Sequence, residues 1–284
     1  MSRSPADRLL VGSLWTAALA AAAIVFVVVA FLVWESFPAL LNPGPGVFFS
    51  DPSWHPTEGE WGMAPMLWGS LYAALGAVLL ATPLGVLSAV FCRFHAPVRV
   101  AGAYRRMIEL LAGIPSVVYG FWGLVVLVPV IARMAPPGAS LLAAILVLAV
   151  MILPTIALMA DASLRQVPRS QVAAAYALGL SRSGVVWKVA LPASRSGIFT
   201  GVMLGTARAI GETMAVLMVC GGVVNMPSSV FDPIRTLTAN IALEMAYALD
   251  LHRSALFVSG LMLVGTVVVL VVAADLVERR RVRG

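Results

Sequence analysis

Six separate apolar stretches, each about as long as a membrane is thick, dominate this sequence. They span roughly residues 11–34, 64–91, 107–132, 141–160, 197–221 and 254–274. About twenty apolar residues in a helix cross a hydrocarbon core, because a helix satisfies its own backbone hydrogen bonds. Only 11% of the residues are charged, against about 25% in a soluble domain. The pattern predicts an all-α integral membrane protein with six transmembrane helices, forming a single domain over residues 1–284.

The basic residues are distributed unevenly between the predicted loops. With the N-terminus in the cytoplasm, fifteen of the nineteen Lys and Arg residues lie on that side, whereas Arg133, Arg235 and Arg253 lie on the other. The positive-inside rule therefore predicts that both termini are cytoplasmic. The same rule accounts for the net charge of +6, so no nucleic-acid partner is expected. The cluster Arg279–Arg281 is expected to attract anionic membrane lipid.

The polar, basic loop 161–196 is predicted to form a compact cytoplasmic knob. Pro168 can open a short helix, and Gly179 permits the left-handed turn that ends it. Ser181 can cap a second short helix that ends near Pro192. Small residues on the first helix would allow a partner protein to approach closely. The pattern alone leaves open an amphipathic connector that lies on the membrane.

Arg208 and Glu212 are charged residues inside the fifth apolar stretch. A charge at the bilayer centre costs at least ~2.5–3.5 kcal/mol on insertion scales, so such residues indicate function by default. Residues four apart share one face of a continuous helix, which places Glu212 to hold the Arg208 guanidinium. Arginine suits an oxyanion because its planar fork donates paired hydrogen bonds. The pair predicts either a substrate path or a salt bridge that locks two helices, and Gly205 and Gly211 are expected to admit a neighbouring helix closely.

The third apolar stretch contains residues that interrupt a regular helix. Gly113, Pro115 and Gly120 fall within it, and proline removes a helical hydrogen bond. They predict either a kinked packing site or a flexible gate near Ser116 and Tyr119.

Several kinds of chemistry have no support in the sequence. It contains no GxxxxGK[ST] motif, so any ATP must be used by another subunit. His55, His95 and His252 are isolated, which is not a metal-ligand pattern. We therefore expect no catalytic residue, no metal and no cofactor held by this chain. Two further classes of protein remain as alternatives to a subunit that depends on the ATP of a partner. They are a membrane-embedded enzyme and a channel or scaffold without ATP coupling.

The predicted knob resembles the EAA loop of the permeases of ABC importers. That frame has small residues, a glycine six positions after the first, and a hydrophobic-x-Leu-Pro ending. It is filled here by Ala173, Ala174, Ala175, Gly179, Val189, Leu191 and Pro192. The resemblance implies that the loop carries motion from a cytoplasmic ATPase into the membrane helices. Ala173 departs from the family pattern, which usually has glutamate there, and this removes a possible salt bridge to the ATPase.

Three further stretches resemble the phosphate-importer permeases. Gly205–Val216 is similar to their fifth span, and its Glu-Thr-Met-Ala-Val ending is more like the PstC type than the partner PstA type. Glu109–Pro129 resembles the third span of the PstC type. The outer segments Ser53–Pro56 and Met63–Pro65 resemble the region before its second span.

This resemblance implies a fold, a function and a set of partners. The expected fold is that of a type I ABC-importer permease in the bacterial inner membrane. The expected function is phosphate import with a PstA-like second permease, two ATPase subunits and an external phosphate-binding protein. Arg208 and Glu212 are then the candidate substrate path. Another oxyanion, such as sulfate or molybdate, is the nearest alternative substrate.

Overall fold

The computed structural model of the chain describes residues 5–51 and 53–283, with side chains described for residues 7, 9–51 and 53–276. Arg3 lies outside these ranges, and so do the side chains of Arg8 and of the tail from Arg279 to Arg283.

The N-terminal part consists of two long helices joined by an irregular outer segment. Its elements are α1 Pro5–Leu41, α2 Val47–Ser50, β1 Trp54–His55, a 3-10 turn Pro56–Glu58, β2 Glu60–Trp61 and α3 Ala64–Val90. The two short strands pair antiparallel, with Trp54 opposite Trp61. The proline and glycine residues of this segment keep its elements short. A π-helical turn, Phe91–His95, ends α3.

The third apolar stretch is sharply bent, as the kink predicted at Gly113 and Pro115 requires, so the span over 107–132 is not one straight helix. It divides into α4 Val98–Ala112, α5 Ser116–Trp122, a π-helical turn Gly123–Leu127 and α6 Val128–Ala132. The helical axes before and after the break differ in direction by 94°. Pro115 causes the break, because proline disfavours the helical conformation of the residue before it.

The loop 161–196 is helical over most of its length. Its elements are α7 Leu141–Gln166, α8 Arg169–Ala177, α9 Arg182–Val185, a π-helical turn Val186–Ala190 and α10 Leu191–Gly211. The predicted end of the second short helix near Pro192 is wrong. Pro192 lies in the first turn of α10, where a missing N–H is tolerated.

The fifth apolar stretch is also interrupted, so the predicted span over 197–221 is wrong in its second half. After α10 ends at Gly211, the chain continues as α11 Met214–Val219, α12 Leu237–Glu244 and α13 Asp250–Arg283. Glu212 has an extended backbone, with φ −71° and ψ 129°.

The core is built around α7, which packs between α3 and α10. On α3 a small residue occurs at every fourth position and is buried, at Ala73, Ala77, Ala81, Gly85 and Ala89. On α10, Cβ atoms added at Gly201 and Gly205 would lie 2.6 Å from the Met159 Cβ and 3.2 Å from the Ile156 Cγ1 of α7. Small residues at this spacing let the backbones approach, which is how helices associate in membranes.

Within the described ranges, four helices are long and apolar enough to cross a membrane, or five if the bent pair α4–α5 counts as one span. They include α1, α3, α7 and α13, at the places that hydropathy predicts. The structure therefore does not reproduce the predicted number of six. Arginine, glycine and serine residues lower the mean hydropathy of α10, so its composition alone does not identify it as a membrane span.

Candidate functional site

Arg208 lies in the last turn of α10 and is half-buried. Within the described part of the chain, no hydrogen bond or ion pair joins its guanidinium to another residue. A half-buried arginine without a partner is unusual, because removing a charge from water without compensation is costly. The guanidinium therefore keeps its hydrogen-bond donors available to a group from outside this chain.

Glu212 does not hold Arg208, so the expected pairing of the two side chains is wrong. The expectation required a continuous helix, and the helix ends at Gly211. The Glu212 carboxylate instead accepts a hydrogen bond from the Ala215 N–H at 3.1 Å and caps the start of α11. Its backbone carbonyl accepts one from the Thr238 hydroxyl at 2.8 Å. Glu212 thus stabilises the break between α10 and α11 and attaches it to α12.

The residues predicted as a gate lie in α5. Ser116 is half-buried at its start, and Tyr119 is buried with its hydroxyl donating to the Leu111 carbonyl at 2.7 Å. A Cβ added at Gly120 would lie 2.6 Å from the Ala215 Cα, so α5 packs directly on α11. The structure therefore places α5 against the helix that follows the break at Glu212.

The knob that carries the EAA-like residues has a well-defined helix end. Gly179 has φ +78°, a conformation that glycine adopts without steric cost. The Leu180 N–H donates to the Ala175 carbonyl at 3.1 Å, and the Gly179 N–H donates to the Tyr176 carbonyl at 3.0 Å. These two bonds form a Schellman motif. The Ser181 hydroxyl caps α9 by accepting from the Gly184 N–H, as predicted.

The outer surface of the knob is exposed and partly apolar. Ala173 and Ala174 face solvent, whereas Ala175 is buried. Leu178 is 81% exposed and Trp187 is 64% exposed. Of the remaining residues of the frame, Leu191 is half-buried and Pro192 is exposed. An exposed surface of small and large apolar residues is typical of a contact site for another protein.

The chain matches a known transport family over most of its length. Residues 81–283 match the family described as "Binding-protein-dependent transport system inner membrane component". The chain belongs to this family. It is therefore a permease of an ABC importer, which confirms the resemblance seen in its EAA-like loop.

Relatives of this permease carry names that refer to phosphate or to ABC transport. It is 40% identical over 222 residues to "Probable ABC transporter permease protein YqgH" of Bacillus subtilis, covering 76% of this chain and 72% of that protein. It is 37% identical over 280 residues to "Phosphate transport system permease protein PstC" of Xylella fastidiosa, covering 89% of this chain and 86% of that protein. A PstC protein of Pasteurella multocida is 34% identical over 248 residues, covering 80% and 78%.

Solved structures of other importers share the fold of this permease. The inward-facing MetNI methionine ABC transporter matches with a TM-score of 0.61 at 22% identity, covering 80% of this chain and 99% of the other. A bacterial ABC transporter that imports alginate matches with a TM-score of 0.60 at 12% identity, covering 96% and 99%. At these identities the matches establish the ABC-importer permease fold.

A charged cluster that the sequence pattern did not indicate joins Glu244 of α12 to residues of three other segments of this permease. Glu244, 7% exposed, accepts from Arg235 Nη1 at 2.7 Å and from Trp54 Nε1 at 2.8 Å, and His252 Nε2 lies 2.9 Å from its Oε2. Arg235 also donates to the Asn240 amide oxygen at 3.0 Å. The sequence signal was an acidic residue at the end of a helix whose other residues are uncharged.

An open cavity adjoins this cluster. It has a volume of ≈ 690 Å³, and its lining includes Trp54, Arg235, Glu244, Tyr247 and His252. Within the described part of the chain, no group of three His, Cys, Asp or Glu residues could hold a metal ion.

The loop before α12 is held by hydrogen bonds to a second carboxylate, that of Asp232. The Ser229 N–H donates to Asp232 Oδ2 at 2.9 Å, and the Ser228 hydroxyl and N–H donate to the same oxygen at 2.9 and 2.8 Å. These hydrogen bonds favour the charged form and lower the pKa of Asp232. The loop is therefore ordered by a carboxylate that stays ionised at neutral pH.

A second charged cluster that the sequence pattern did not indicate lies at the C-terminal end of α7. Asp161 accepts hydrogen bonds from Arg105 of α4 and from Arg165 of its own helix. Asp161 was expected at the start of the loop 161–196, but it lies inside α7, which continues to Gln166. The position of Arg105, 56 residues away in the chain, could not be inferred from spacing.

Proposed function

We propose that this chain is the PstC-type permease subunit of an ATP-driven phosphate importer. The observation that carries the assignment is its 37% identity to a phosphate transport system permease protein PstC over 280 residues, 89% of the chain. The match to PstC covers nearly the whole chain, so it includes both the membrane helices and the cytoplasmic knob. A second permease subunit of the PstA type completes the translocation path.

Arg208 is the proposed contact for phosphate in the membrane. Its guanidinium is half-buried and has no partner within the described chain. A planar guanidinium donates two parallel hydrogen bonds to an oxyanion, and these are strongest where water is excluded. Glu212 contributes to the path by holding the break that sets α11 against α5, and Tyr119 and Ser116 of α5 form the gate. Contact with phosphate is transient, because substrate arrives from an external phosphate-binding protein.

Energy for transport comes from separate ATPase subunits. Two of them dock on the knobs of the two permease subunits, and here the contact residues are Ala173, Ala174, Ala175, Gly179, Leu191 and Pro192. Both termini are cytoplasmic, which places the knob on the side where ATP is available. This chain itself binds no cofactor. Alanine at position 173 makes the contact with the ATPase depend on shape rather than on a salt bridge.

Radiolabelled phosphate uptake tests the proposal in cells that lack this chain. Wild type, Arg208→Gln and Arg133→Gln are reintroduced, the last as a matched change at an exposed arginine in the loop before α7. We expect wild type and Arg133→Gln to restore uptake that excess sulfate does not inhibit. Arg208→Gln should lower uptake about tenfold or more, since a charge-assisted hydrogen bond contributes about 1.5–3 kcal/mol. Co-purification with the ATPase checks that the variant complex assembles.

Two outcomes contradict the proposal in different ways. Full competition by sulfate, or no restoration by wild type, would make phosphate the wrong substrate. Normal uptake by Arg208→Gln would remove Arg208 from the path and leave the assignment to phosphate intact.

A further inference from the structure

The cytoplasmic end of α7 carries a buried carboxylate that connects two helices. Asp161 is 8% exposed. Arg105 of α4 donates to both of its oxygens, from Nε to Oδ2 at 2.9 Å and from Nη2 to Oδ1 at 3.0 Å. Such paired hydrogen bonds restrict orientation as well as distance. The pair therefore fixes the direction of α4 relative to α7.

A third charged group completes the cluster without connecting it to another element. Arg165 Nε donates to Asp161 Oδ2 at 2.9 Å, and both residues belong to α7. A bond within one helix cannot transmit force between helices. Arg165 is also more exposed than Arg105, so solvent screens its attraction to the carboxylate more strongly.

The end of α7 that carries Asp161 leads directly into the knob. Only Val167 and Pro168 separate the last residue of α7, Gln166, from the first residue of α8. Val167 is buried, and Leu164 on the preceding turn is completely buried. A short, packed connection of this kind transmits a displacement of α8 to the end of α7.

The other end of α4 leads to the gate residues. Three residues, 113–115, connect α4 to α5 through the 94° bend. The Tyr119 hydroxyl crosses this bend and donates to the Leu111 carbonyl at 2.7 Å. Movement of α4 therefore displaces α5, which packs at Gly120 on Ala215 of α11, the helix that follows the break after Arg208 and Glu212.

We propose that Asp161 is a positioning residue for transport, and that its bond to Arg105 makes α4 a lever between the knob and α5. ATPase closure displaces α8 and the end of α7, Asp161 moves Arg105 with it, and α4 turns α5 beside the substrate path. This mechanism rests on the proposed function, because it requires an ATPase that acts on α8. The Asp161–Arg105 pair stays closed through the cycle and acts as a rigid connection.

The ratio of phosphate transported to ATP hydrolysed tests the lever. The complete importer is reconstituted in proteoliposomes with its external phosphate-binding protein. The test variants are Asp161→Asn, which removes the charge, and Arg105→Lys, which keeps the charge and loses the paired bonds. The controls are Arg165→Gln, which removes the bond within α7, and Arg106→Lys, the same change at the exposed neighbour of Arg105.

We expect both test variants to keep hydrolysing ATP while their transport ratio falls about fivefold or more, the range of an ordinary coupling energy between sites. The controls should stay within about twofold of wild type, because surface ion pairs contribute little. If the Asp161–Arg105 pair has only a structural role, the test variants should give less assembled complex, and the ratio of phosphate transported to ATP hydrolysed should not change.

Each remaining outcome overturns the lever. An unchanged ratio in Asp161→Asn does so directly. If Asp161→Asn fails to assemble, the result for Arg105→Lys is used instead. The pair has only a structural role if Arg105→Lys assembles and has a normal ratio, or if Arg105→Lys also fails to assemble. A wild-type complex that transports no phosphate would contradict the proposed function, and the lever with it. Normal wild-type transport with unchanged ratios in the variants contradicts the lever alone.

Discussion

Gly201 lies where α10 passes closest to α7, and it makes the first prediction at the scale of a single residue. A Cβ at this position would lie 2.6 Å from the Met159 Cβ, an atom that cannot move without its backbone. We expect Gly201→Ala to lower the free energy of unfolding by about 1–3 kcal/mol, the usual cost of overpacking. The melting temperature of the purified complex in detergent measures this. Gly211→Ala is the matched control, since no atom lies within 4 Å of its added Cβ, and equal melting temperatures for the two variants would contradict the packing argument.

The glycines of α10 show what can be inferred from the sequence at this scale. Close packing at Gly205 is confirmed, but close packing at Gly211 is wrong, because Gly211 is the last residue of its helix. The spacing of Gly197, Gly201 and Gly205 was a readable signal that the sequence analysis overlooked. The pairing of Arg208 with Glu212 failed for the same reason as Gly211, since a rule about helix faces holds only where the helix continues.

Among the elements, the end of α8 depends on one backbone conformation. Gly179 has φ +78° and no neighbour within 4 Å of an added Cβ, so Gly179→Ala introduces backbone strain without a clash. The left-handed conformation costs roughly 1–2 kcal/mol for a residue with a Cβ. We expect Gly179→Ala to weaken co-purification of the ATPase and to lower uptake, and Gly179→Asn to have a smaller effect because asparagine tolerates this conformation. Gly184→Ala, where an added Cβ meets neighbours at 3.4 Å or more, should leave both unchanged. Undiminished ATPase association in Gly179→Ala would show that the knob does not need this turn.

Hydropathy located the long helices but not the places where helices break. The apolar runs of α1, α3, α7 and α13 were predicted because length and composition alone decide them. The kink at Pro115 was predicted from its glycine and proline residues, but the break at Glu212 was not, because a window average of hydropathy does not register a single glutamate. At Pro192 the error was the reverse, because a helix end was predicted where a helix begins. A proline in the first turn of a helix permits the helix that follows.

For the molecule as a whole, the outer end depends on one buried carboxylate that joins segments far apart in the chain. Glu244 of α12 binds Trp54, 190 residues away, and lies against His252 of α13. Sequence spacing could not predict this convergence, because only the folded chain brings the outer hairpin of β1 and β2 to α12. Breaking the cluster should therefore loosen the hairpin and not the membrane core.

Two substitutions and their combination test this dependence. Glu244→Gln removes the negative charge that Arg235, Trp54 and His252 contact, so it should lower the free energy of unfolding by about 1.5–3 kcal/mol. Trp54→Phe removes one hydrogen-bond donor to Glu244, so it should lower the free energy of unfolding by about 1 kcal/mol. The double variant should lose less than the sum, because both changes break the same hydrogen bond. Trp68→Phe serves as the control, since Trp68 is an exposed tryptophan that stacks on Tyr72. Melting temperature reports the loss of stability, and the rate of proteolysis within residues 53–61 reports the loosening of the hairpin. Strictly additive losses with an unchanged cleavage rate would mean that Trp54 and Glu244 stabilise the protein independently, and that the hairpin is held by its packing alone.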